Sequence, residues 1–339
     1  MSATVLEAVP CDVCGQDDPV PLITKHGYRV VRCRACDLVY VSPRLKPGGL
    51  AALYEGDTYQ EHQATRADDT EHDTRWRREA LARLALLDDA QPARGKLLDV
   101  GCSTGWFMGV ARDGGWQVTG LDISRPSVEQ ARARGFDVHH GTLEDNDLEP
   151  GGYAAVTMFD SIEHMPSPMT ALRAVRRLLA DDGVVVLTTP NIDGLLPRVT
   201  WQLFGRTVGA WEHPGPPGHI YQFGKKTLAE ALRRGGFTMV HSRTEAIPLD
   251  HTVGALEEVL MDALKGKRGR PTADDARTDV EPPPLRSAPP VGVSPVTRMA
   301  RRAVRRVVRT GAWALTSAIT APAARLDQGD SLLVIARKA

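Results

Sequence analysis

Four cysteines near the start of the chain have the spacing of a metal site. Two residues separate Cys11 from Cys14 and Cys33 from Cys36, and 18 residues lie between the two pairs. Each Cys-x-x-Cys loop can place two thiolates on one ion, so the pairs together predict a tetrahedral Zn²⁺ site of the zinc-ribbon type. Four thiolates leave no open coordination position, and we therefore expect a structural zinc that holds a small module folded. A redox pair, or cysteines that merely pack, are the alternatives.

A second run of residues could bind a polar ligand at a turn. Residues 97–107 read Leu-Leu-Asp-Val-Gly-Cys-Ser-Thr-Gly-Trp-Phe, so an apolar strand containing an acid is followed by a glycine-bounded turn that opens a helix. Such a turn brings backbone N–H groups close to a ligand at a helix N-terminus. Asp122 follows Gly105 by 17 residues and ends the next expected strand, where an acid can accept both hydroxyls of a ribose. A helix-capping role is the alternative for Asp122.

These residues carry a resemblance to a known family. The run at 97–107, with Asp122 behind it, resembles the cofactor-binding signature of the class I S-adenosylmethionine (SAM) dependent methyltransferases. The segment from Asp160 to Pro166 resembles small-molecule members of that family, including ubiquinone-type enzymes. Residues 31–43 are similar to the front end of a bacterial group that carries a zinc ribbon before the catalytic fold. The resemblance covers roughly residues 75–245 plus the last ten, and it implies SAM as the cofactor.

The resemblance also implies where the cofactor would lie. Asp99 is expected near the SAM ammonium, and Ser103 stands where many relatives have glycine. Leu143 and Glu144 are expected at the adenine, and Phe159 near the methyl sulfonium. The full set of expected cofactor-binding residues is Asp99, Gly101, Cys102, Ser103, Gly105, Asp122, Ile123, Leu143, Glu144, Phe159 and Asp160.

Two histidines are the candidates for a catalytic base. His164 follows Glu163 after the fourth expected strand, His219 precedes a later helix, and an imidazole can take a proton from an acceptor near neutral pH. The alternatives are that His164 only shapes its loop and that His219 bonds to loop backbone. Residues 192–222 form a long insertion rich in Trp, Gly, Pro and His, which we interpret as the wall and lid of an acceptor pocket. Cys102 is expected to pack and not to act as a nucleophile.

From residue 96 onward, short apolar strands alternate with helical stretches, which predicts an α/β fold with a mostly parallel, Rossmann-like sheet. The resemblance adds seven strands in the order 3-2-1-4-5-7-6, preceded by the zinc ribbon. The expected domains are the zinc ribbon at 1–45, a helical connection at 46–95, a SAM-binding domain at 96–245 plus 328–339, and an insertion at 246–327. Within that insertion, 265–296 has the composition of a flexible linker and 297–320 that of a basic amphipathic helix.

Composition and charge narrow the possible partners. Lys plus Arg and Asp plus Glu are equal at 42 each, which argues against nucleic acid as the partner. Apolar runs are too short for a membrane span and the N-terminus lacks the pattern of a secretory signal, so we expect a cytoplasmic protein. The six arginines within Arg298–Arg309 could contact an anionic membrane or a protein. The simpler alternative is a helix packed on the domain.

Together these features predict SAM-dependent methyl transfer to a small-molecule acceptor, such as a natural product, sugar, quinone or lipid precursor. One alternative is an rRNA or tRNA methyltransferase, some of which also place a zinc ribbon before this fold. The other is a non-catalytic scaffold of the same fold. The sequence does not decide whether the acceptor atom is oxygen, nitrogen or carbon.

Overall fold

The computed structural model describes residues 6–56, 70–205, 211, 213, 215–246 and 322–339, with side chains for all of these except residues 70–75 and 204. The linker expected at 265–296 and the basic helix expected at 297–320, with its arginines Arg298–Arg309, lie outside the described residues. Those two expectations therefore stay predictions. Within the described part of the chain, no helix is both long and apolar enough to cross a membrane.

A small β-module containing the four cysteines begins the described chain, and we call it the ribbon. Its strands are β1 (Leu6–Glu7), β2 (Pro19–Lys25), β3 (Tyr28–Cys33), β4 (Val39–Val41) and β5 (Arg44–Leu45). Strands β2 and β3 form an antiparallel hairpin that turns at His26 and Gly27. Their φ angles of 50° and 81° match the left-handed pair that a two-residue hairpin turn requires. One Cys-x-x-Cys loop precedes β2 and the other begins at the end of β3.

Two helices are described between the ribbon and the main sheet. They are α1 (Pro47–Glu55) and α2 (Thr70–Ala90). In α2, Leu84 and Leu87 are three residues apart and so lie on one face of the helix. Both side chains are buried in an apolar cluster with Leu97 and Val186 of the main sheet. This apolar face is what holds α2 against the sheet.

A seven-stranded sheet forms the centre of the molecule. Its strands in chain order are β6 (Lys96–Val100), β7 (Gln117–Asp122), β8 (Asp137–His140), β9 (Tyr153–Phe159), β10 (Leu179–Pro190), β12 (Phe237–Glu245) and β13 (Ser331–Lys338). They lie side by side in the order β8-β7-β6-β9-β10-β13-β12. The first five are mutually parallel, and β13 is antiparallel to both of its neighbours. Numbered within this sheet, the order is 3-2-1-4-5-7-6, which confirms the prediction.

Helices cover both faces of this sheet. The helices described after β6 are α3 (Trp106–Asp113), α4 (Arg125–Ala133), α5 (Pro168–Leu178), α6 (Leu195–Thr200) and α7 (Lys225–Arg234). The hydroxyls of Ser124 and Ser167 cap α4 and α5 by accepting a backbone N–H from three residues further on. Leu97 packs in the cluster that holds α2 and α3, whereas Leu98 packs in the cluster that holds α5 and α7. Leu97 and Leu98 point to opposite faces of the sheet because successive side chains alternate along a strand.

The ribbon and the main sheet are joined through the insertion at 192–222. Its short strand β11 (Tyr221–Gln222) pairs with β4, which completes a four-stranded sheet in the order β11-β4-β3-β2. Trp211 is 3% exposed and packs with Ile23, Val39 and Ile192. The Trp211 side chain therefore belongs to the core of the joint between ribbon and sheet, and the expectation that the insertion forms the wall of an acceptor pocket stays a prediction.

Candidate active site

The cofactor loop, which we define as residues 99–105, spans the end of β6 and the turn into α3. Gly101, Ser103 and Gly105 have left-handed φ angles of 74°, 49° and 82°, a region that glycine enters without strain. A Cβ atom on Gly101 would overlap with Ser161 Oγ, so a larger residue does not fit there. The backbone N–H of Gly101 donates to the carbonyl of Leu121 at 2.8 Å, which ties the loop to β7.

Asp122, the expected ribose-binding acid, lies at the mouth of this loop and is buried. Its Oδ2 accepts the backbone N–H of Ser103 at 2.8 Å, and its Oδ1 accepts that of Ser124 at 2.8 Å. Burial raises the pKa of Asp122, although the two N–H groups and the nearby charge of His140 work in the opposite direction. The bond to Ser124 agrees with the helix-capping alternative, and each carboxylate oxygen keeps a second lone pair for a ligand.

Asp99 is 3% exposed and lies on β6, one residue before the end of the strand. Thr157 Oγ1, on the neighbouring strand β9, donates to Asp99 Oδ1 at 2.7 Å. Burial raises the pKa of Asp99 to about 7, because loss of water opposes the charged form more strongly than the Thr157 bond favours it. A cation placed beside Asp99 would therefore shift the carboxyl toward its ionised form.

The other expected cofactor residues differ in what they offer to a ligand. The Cys102 side chain is buried among apolar residues, as expected for packing, and the Leu143 side chain is buried in the core. Glu144 is exposed. The carbonyl of Ile123 lies 3.0 Å from His140 Nε2. The structure thus brings the loop, Asp122 and Ile123 to one edge of the sheet, while the side chain of Leu143 packs in the core.

Phe159 is the last residue of β9 and Asp160 follows it, and both are contacted by Arg83 of α2, which was not predicted from the sequence. The Arg83 guanidinium carbon lies 4.8 Å from the Phe159 ring centroid. Its Nη2 lies 4.0 Å from Asp160 Oδ2 and 3.9 Å from Glu245 Oε2. Only 11% of the Arg83 side chain is exposed. Helical spacing was the available signal, because Arg83 precedes the buried Leu87 by four residues and shares its face of α2.

The two candidate bases, His164 and His219, lie next to each other. Their ring centroids are 4.5 Å apart and the rings are perpendicular. His164 Nδ1 lies 3.1 Å from the carbonyl of Gly218 and 2.8 Å from Tyr54 Oη. Burial lowers the pKa of His164, so its imidazole is neutral at physiological pH. Tyr54 is not among the site residues predicted from the sequence, because no local pattern links it to His164.

Glu163 is 1% exposed and completes this cluster. Its Oε2 accepts the hydroxyl of Thr189 at 3.0 Å, and its Oε1 lies 4.0 Å from His164 Nε2. Among the described residues, Oε1 has no hydrogen-bond partner. Burial raises the pKa of Glu163 well above its ordinary value, and the nearby Asp160 adds to this. The ligand-type atoms of Glu163, His164 and His219 all lie within 4.8 Å of one another, close enough for one small cation.

The four ribbon cysteines converge on one point. Their Sγ atoms all lie within 4.8 Å of one another. The sulfurs of Cys11 and Cys36 are 3.4 Å apart, as are those of Cys14 and Cys33. This is the arrangement that the paired Cys-x-x-Cys spacing predicts. The chemistry of the donor set, four soft sulfurs in a tetrahedral-sized cluster, fits Zn²⁺.

Curated proteins similar to this chain are methyltransferases. The chain is 34% identical over 119 residues to a ubiquinone biosynthesis O-methyltransferase from Neisseria meningitidis, a match that covers 32% of this chain and 50% of the relative. It is 35% identical over 103 residues to the enzyme of the same name from Sodalis glossinidius, covering 28% and 41%. At most, the chain spans about half the length of these curated relatives.

This chain also resembles solved methyltransferase structures and matches a family model. A SAM-dependent methyltransferase from Archaeoglobus fulgidus has a TM-score of 0.46 and 17% identity, covering 83% of this chain and 100% of its own. The magnesium protoporphyrin IX methyltransferase from Synechocystis, solved with bound SAH, has a TM-score of 0.47 and 16% identity, covering 60% and 94%. The methyltransferase domain family model matches residues 59–242, more than half of the 339 residues. The chain therefore belongs to the methyltransferase domain family.

Proposed function

We propose that the protein transfers a methyl group from SAM to a hydroxyl group of a small phenolic acceptor of the kind from which quinones are built. The observation that carries the proposal is that the cofactor loop and His164 lie at the same edge of the sheet. The cofactor loop is at the end of β6, and His164 lies just after β9. These two strands are parallel neighbours, so their carboxyl ends lie side by side. The activity named for the curated relatives, ubiquinone biosynthesis O-methylation, supports a hydroxyl as the acceptor group.

The donor set of the cofactor loop fits SAM. When bound, SAM supplies a methyl group that is already activated for transfer. Asp99 would hold the ammonium, and Asp122 would accept the ribose hydroxyls with its remaining lone pairs. Cys102 and Leu143 would contribute through their backbone, because both side chains are buried. The remaining proposed contacts are made by Gly101, Ser103, Gly105, Ile123, Glu144, Phe159 and Asp160.

His164 is the proposed base. Transfer to a hydroxyl requires the acceptor to be held in line with the methyl group and to lose its proton. The Gly218 carbonyl can only accept a hydrogen bond, so the proton of neutral His164 belongs on Nδ1 and the lone pair on Nε2. Nε2 would then take the acceptor proton. His219, in ring contact with His164, is the second candidate for the same step.

A divalent cation is the second candidate means of activating the acceptor. The observation that favours it is Glu163 Oε1, which is buried, has no hydrogen-bond partner in the part of the chain that the structure describes, and lies close to the two histidines. A cation at this point would lower the pKa of an acceptor hydroxyl by stabilising its oxyanion. Stimulation of the zinc-loaded protein by added Mg²⁺ or Mn²⁺, lost in Glu163→Gln, would support the cation over His164 acting alone.

Zn²⁺ in the ribbon is also proposed, bound by Cys11, Cys14, Cys33 and Cys36. Four thiolates fill a tetrahedral site, so this ion would have no open position for catalysis. Its contribution would be to hold the ribbon strands together, because so small a module buries little apolar surface of its own.

Calorimetric titration with SAM, followed by an assay on a panel of catechols and phenols, tests the proposed function. We expect binding of one SAM per chain and methyl ethers detected by mass spectrometry. Absence of SAM binding by correctly folded, zinc-loaded protein would overturn the proposal. Binding of SAM with methylation only of RNA, and with an affinity for RNA that falls steeply with salt, would point to the nucleic-acid alternative.

A further inference from the structure

We infer that the ribbon, together with the helix α1 that follows it, positions the acceptor side of the active site, and that Asp12 and Tyr54 are the positioning residues. The inference rests on the proposed function, because it concerns the two segments that carry the candidate bases. These are residues 162–169, which include His164, and residues 215–222, which include His219. Each segment is held by side chains or backbone from the first 54 residues of the chain.

Asp12 links the first cysteine loop to the segment that follows His164. It stands directly after Cys11, one of the expected zinc ligands. Its Oδ1 accepts the hydroxyl of Ser167, and its Oδ2 accepts the backbone N–H of Met169, both at 2.8 Å. A carboxylate is favoured at this place because it lies at the N-terminus of α5, where unpaired N–H groups concentrate positive charge. The position of residues 162–169 thus depends on the conformation of the first cysteine loop.

Arg44 holds both segments together. It is buried, and its Nη1 donates to the carbonyl of Pro166 at 2.6 Å and to Tyr221 Oη at 2.8 Å. Tyr221 Oη in turn donates to the Pro166 carbonyl at 3.1 Å. Glu7, on the strand that pairs with β5, accepts from Arg44 Nε at 3.2 Å. A buried guanidinium is costly unless its donors are used, so this arrangement disfavours any shift of one segment against the other.

The ribbon backbone holds the His219 segment directly. Strand β4 pairs with β11, and the N–H of Val41 donates to the carbonyl of Ile220 at 2.9 Å. The N–H of Ile220 donates to the carbonyl of Glu163 at 3.0 Å. A continuous set of backbone bonds therefore runs from the ribbon, through the residue after His219, to the residue before His164.

Tyr54 of α1 makes the final contact, on the imidazole itself. Its Oη lies 2.8 Å from His164 Nδ1, and the two rings meet edge to face with centroids 5.9 Å apart. With the proton on Nδ1, the Gly218 carbonyl and the Tyr54 oxygen share it as acceptors, and a flip of the ring would lose both contacts. Tyr54 thus fixes which nitrogen of His164 faces the acceptor. It acts through His164 and is a positioning residue.

The cofactor loop is held by other elements. Gly101 bonds to Leu121, Ser103 bonds to Asp122, and Ser161 Oγ donates to the carbonyl of Val100. Loosening the ribbon should therefore disturb the acceptor side and spare SAM binding. Because the cofactor loop and the acceptor side are held by different elements, the role of the ribbon can be tested without an acceptor.

Hydrogen exchange, read by mass spectrometry with and without zinc, is the first arm of the test. We expect chelation to raise amide exchange in peptides covering 162–169 and 215–222, with peptides covering 97–105 and 117–124 changed much less. The SAM dissociation constant should change less than about threefold. Asp12→Ala, kept zinc-loaded, should raise exchange at 162–169, whereas Asp37→Asn, an exposed acid in the second cysteine loop, should not. Unchanged exchange in both segments after chelation and in Asp12→Ala would overturn the inference.

Kinetics with 3,4-dihydroxybenzoate as the probe acceptor are the second arm. Tyr54→Phe keeps the ring and removes the hydroxyl, so we expect kcat to fall roughly tenfold with the KM for SAM unchanged. Tyr153→Phe, a hydroxyl deletion at the opposite end of β9, is the control. Tyr54→Phe with wild-type kcat, or with kcat and SAM affinity lost together, would contradict the positioning role. If the wild-type protein binds SAM but methylates no probe, the proposed function fails while the exchange arm still decides the inference.

Discussion

The carboxylate of Asp122 accepts a 2.8 Å hydrogen bond from the backbone N–H of Ser103. This bond ties the end of β7 to the turn between β6 and α3. The acid that we assign to the ribose hydroxyls therefore also shapes the loop that we assign to the amino-acid end of SAM. A change at Asp122 should act on both ends of the cofactor.

Asp122→Asn should weaken SAM binding by about tenfold or more. The amide can accept one of the two backbone N–H groups, but its NH₂ group would face the other donor and could not accept from it. Calorimetric titration with SAM measures the effect. Asp137→Asn, an exposed acid at the far end of the sheet, should leave the affinity unchanged. Equal affinity in Asp122→Asn and wild type would contradict the site assignment.

Binding of SAM should release protons near neutral pH. The pKa of Asp99 is raised from 3.8 to about 7, so a large fraction of this carboxyl is protonated at pH 6 to 7 in the free protein. The SAM ammonium beside it would favour the ionised form and lower the pKa, so affinity should rise with pH up to about pH 7 and then level off. Calorimetry in buffers of different ionisation enthalpy counts the protons. A pH-independent affinity with no proton release would contradict the placement of the ammonium at Asp99.

The same carboxyl should make the free protein less stable as pH rises. A carboxyl whose pKa is raised on folding favours the folded state fully only below its unfolded pKa, near 4, and loses that contribution as pH rises toward 7. Asp99→Asn keeps an acceptor for Thr157 and cannot ionise. The free energy of unfolding of this variant should therefore exceed the wild-type value at pH 8 and approach it at pH 4. Urea unfolding at the two pH values, without SAM, measures this difference.

Gly101→Ala should destabilise the protein by about 1–3 kcal/mol, because it combines left-handed backbone with steric overlap at Ser161. Gly151 has a similar φ of 69° but open space around the missing Cβ. Gly151→Ala should therefore cost only the backbone strain, and the difference between the two variants isolates the overlap. Adding Ser161→Ala should recover part of that difference. Equal unfolding free energies for the two glycine variants would show that Ser161 does not limit the space for a Cβ atom at Gly101.

His164→Gln should lower kcat by roughly 10²–10⁴-fold, the range typical for loss of a positioned acid–base group. SAM affinity should be unchanged, because His164 is assigned to the acceptor side. His241→Gln, an exposed residue on β12, serves as the control for a histidine loss elsewhere. A variant that keeps wild-type kcat would exclude His164 as the base and leave His219 as the remaining candidate.

One zinc per chain should be released when the four ribbon thiolates are modified. Cys14→Ser should abolish zinc retention, whereas Cys102→Ser should retain it, because Cys102 is buried away from the ribbon in the cluster beneath α3 and α4. A colorimetric chelator assay counts the metal. Zinc retained at full stoichiometry by Cys14→Ser would contradict the four-cysteine site.

The local patterns of this chain were readable from the sequence because they depend on neighbours along it. The paired Cys-x-x-Cys loops predicted four converging sulfurs, and the run at 97–107 predicted a strand, a glycine turn and a helix. The sheet order came from the resemblance and not from the pattern, since alternating strands and helices are compatible with several windings. Asp122 was found by its distance from the glycine turn, but its two backbone donors were not predicted.

The type of each element and the residues at each strand end therefore follow from local sequence. The contacts between distant side chains are visible only in the folded chain. Tyr54 reaches His164 across 110 positions, and Asp12 reaches Ser167 across 155. The physical reason is that periodicity reports which face of an element is buried but not which element covers it. Those partners depend on how the ribbon packs on the sheet, and that packing is decided by the whole folded chain.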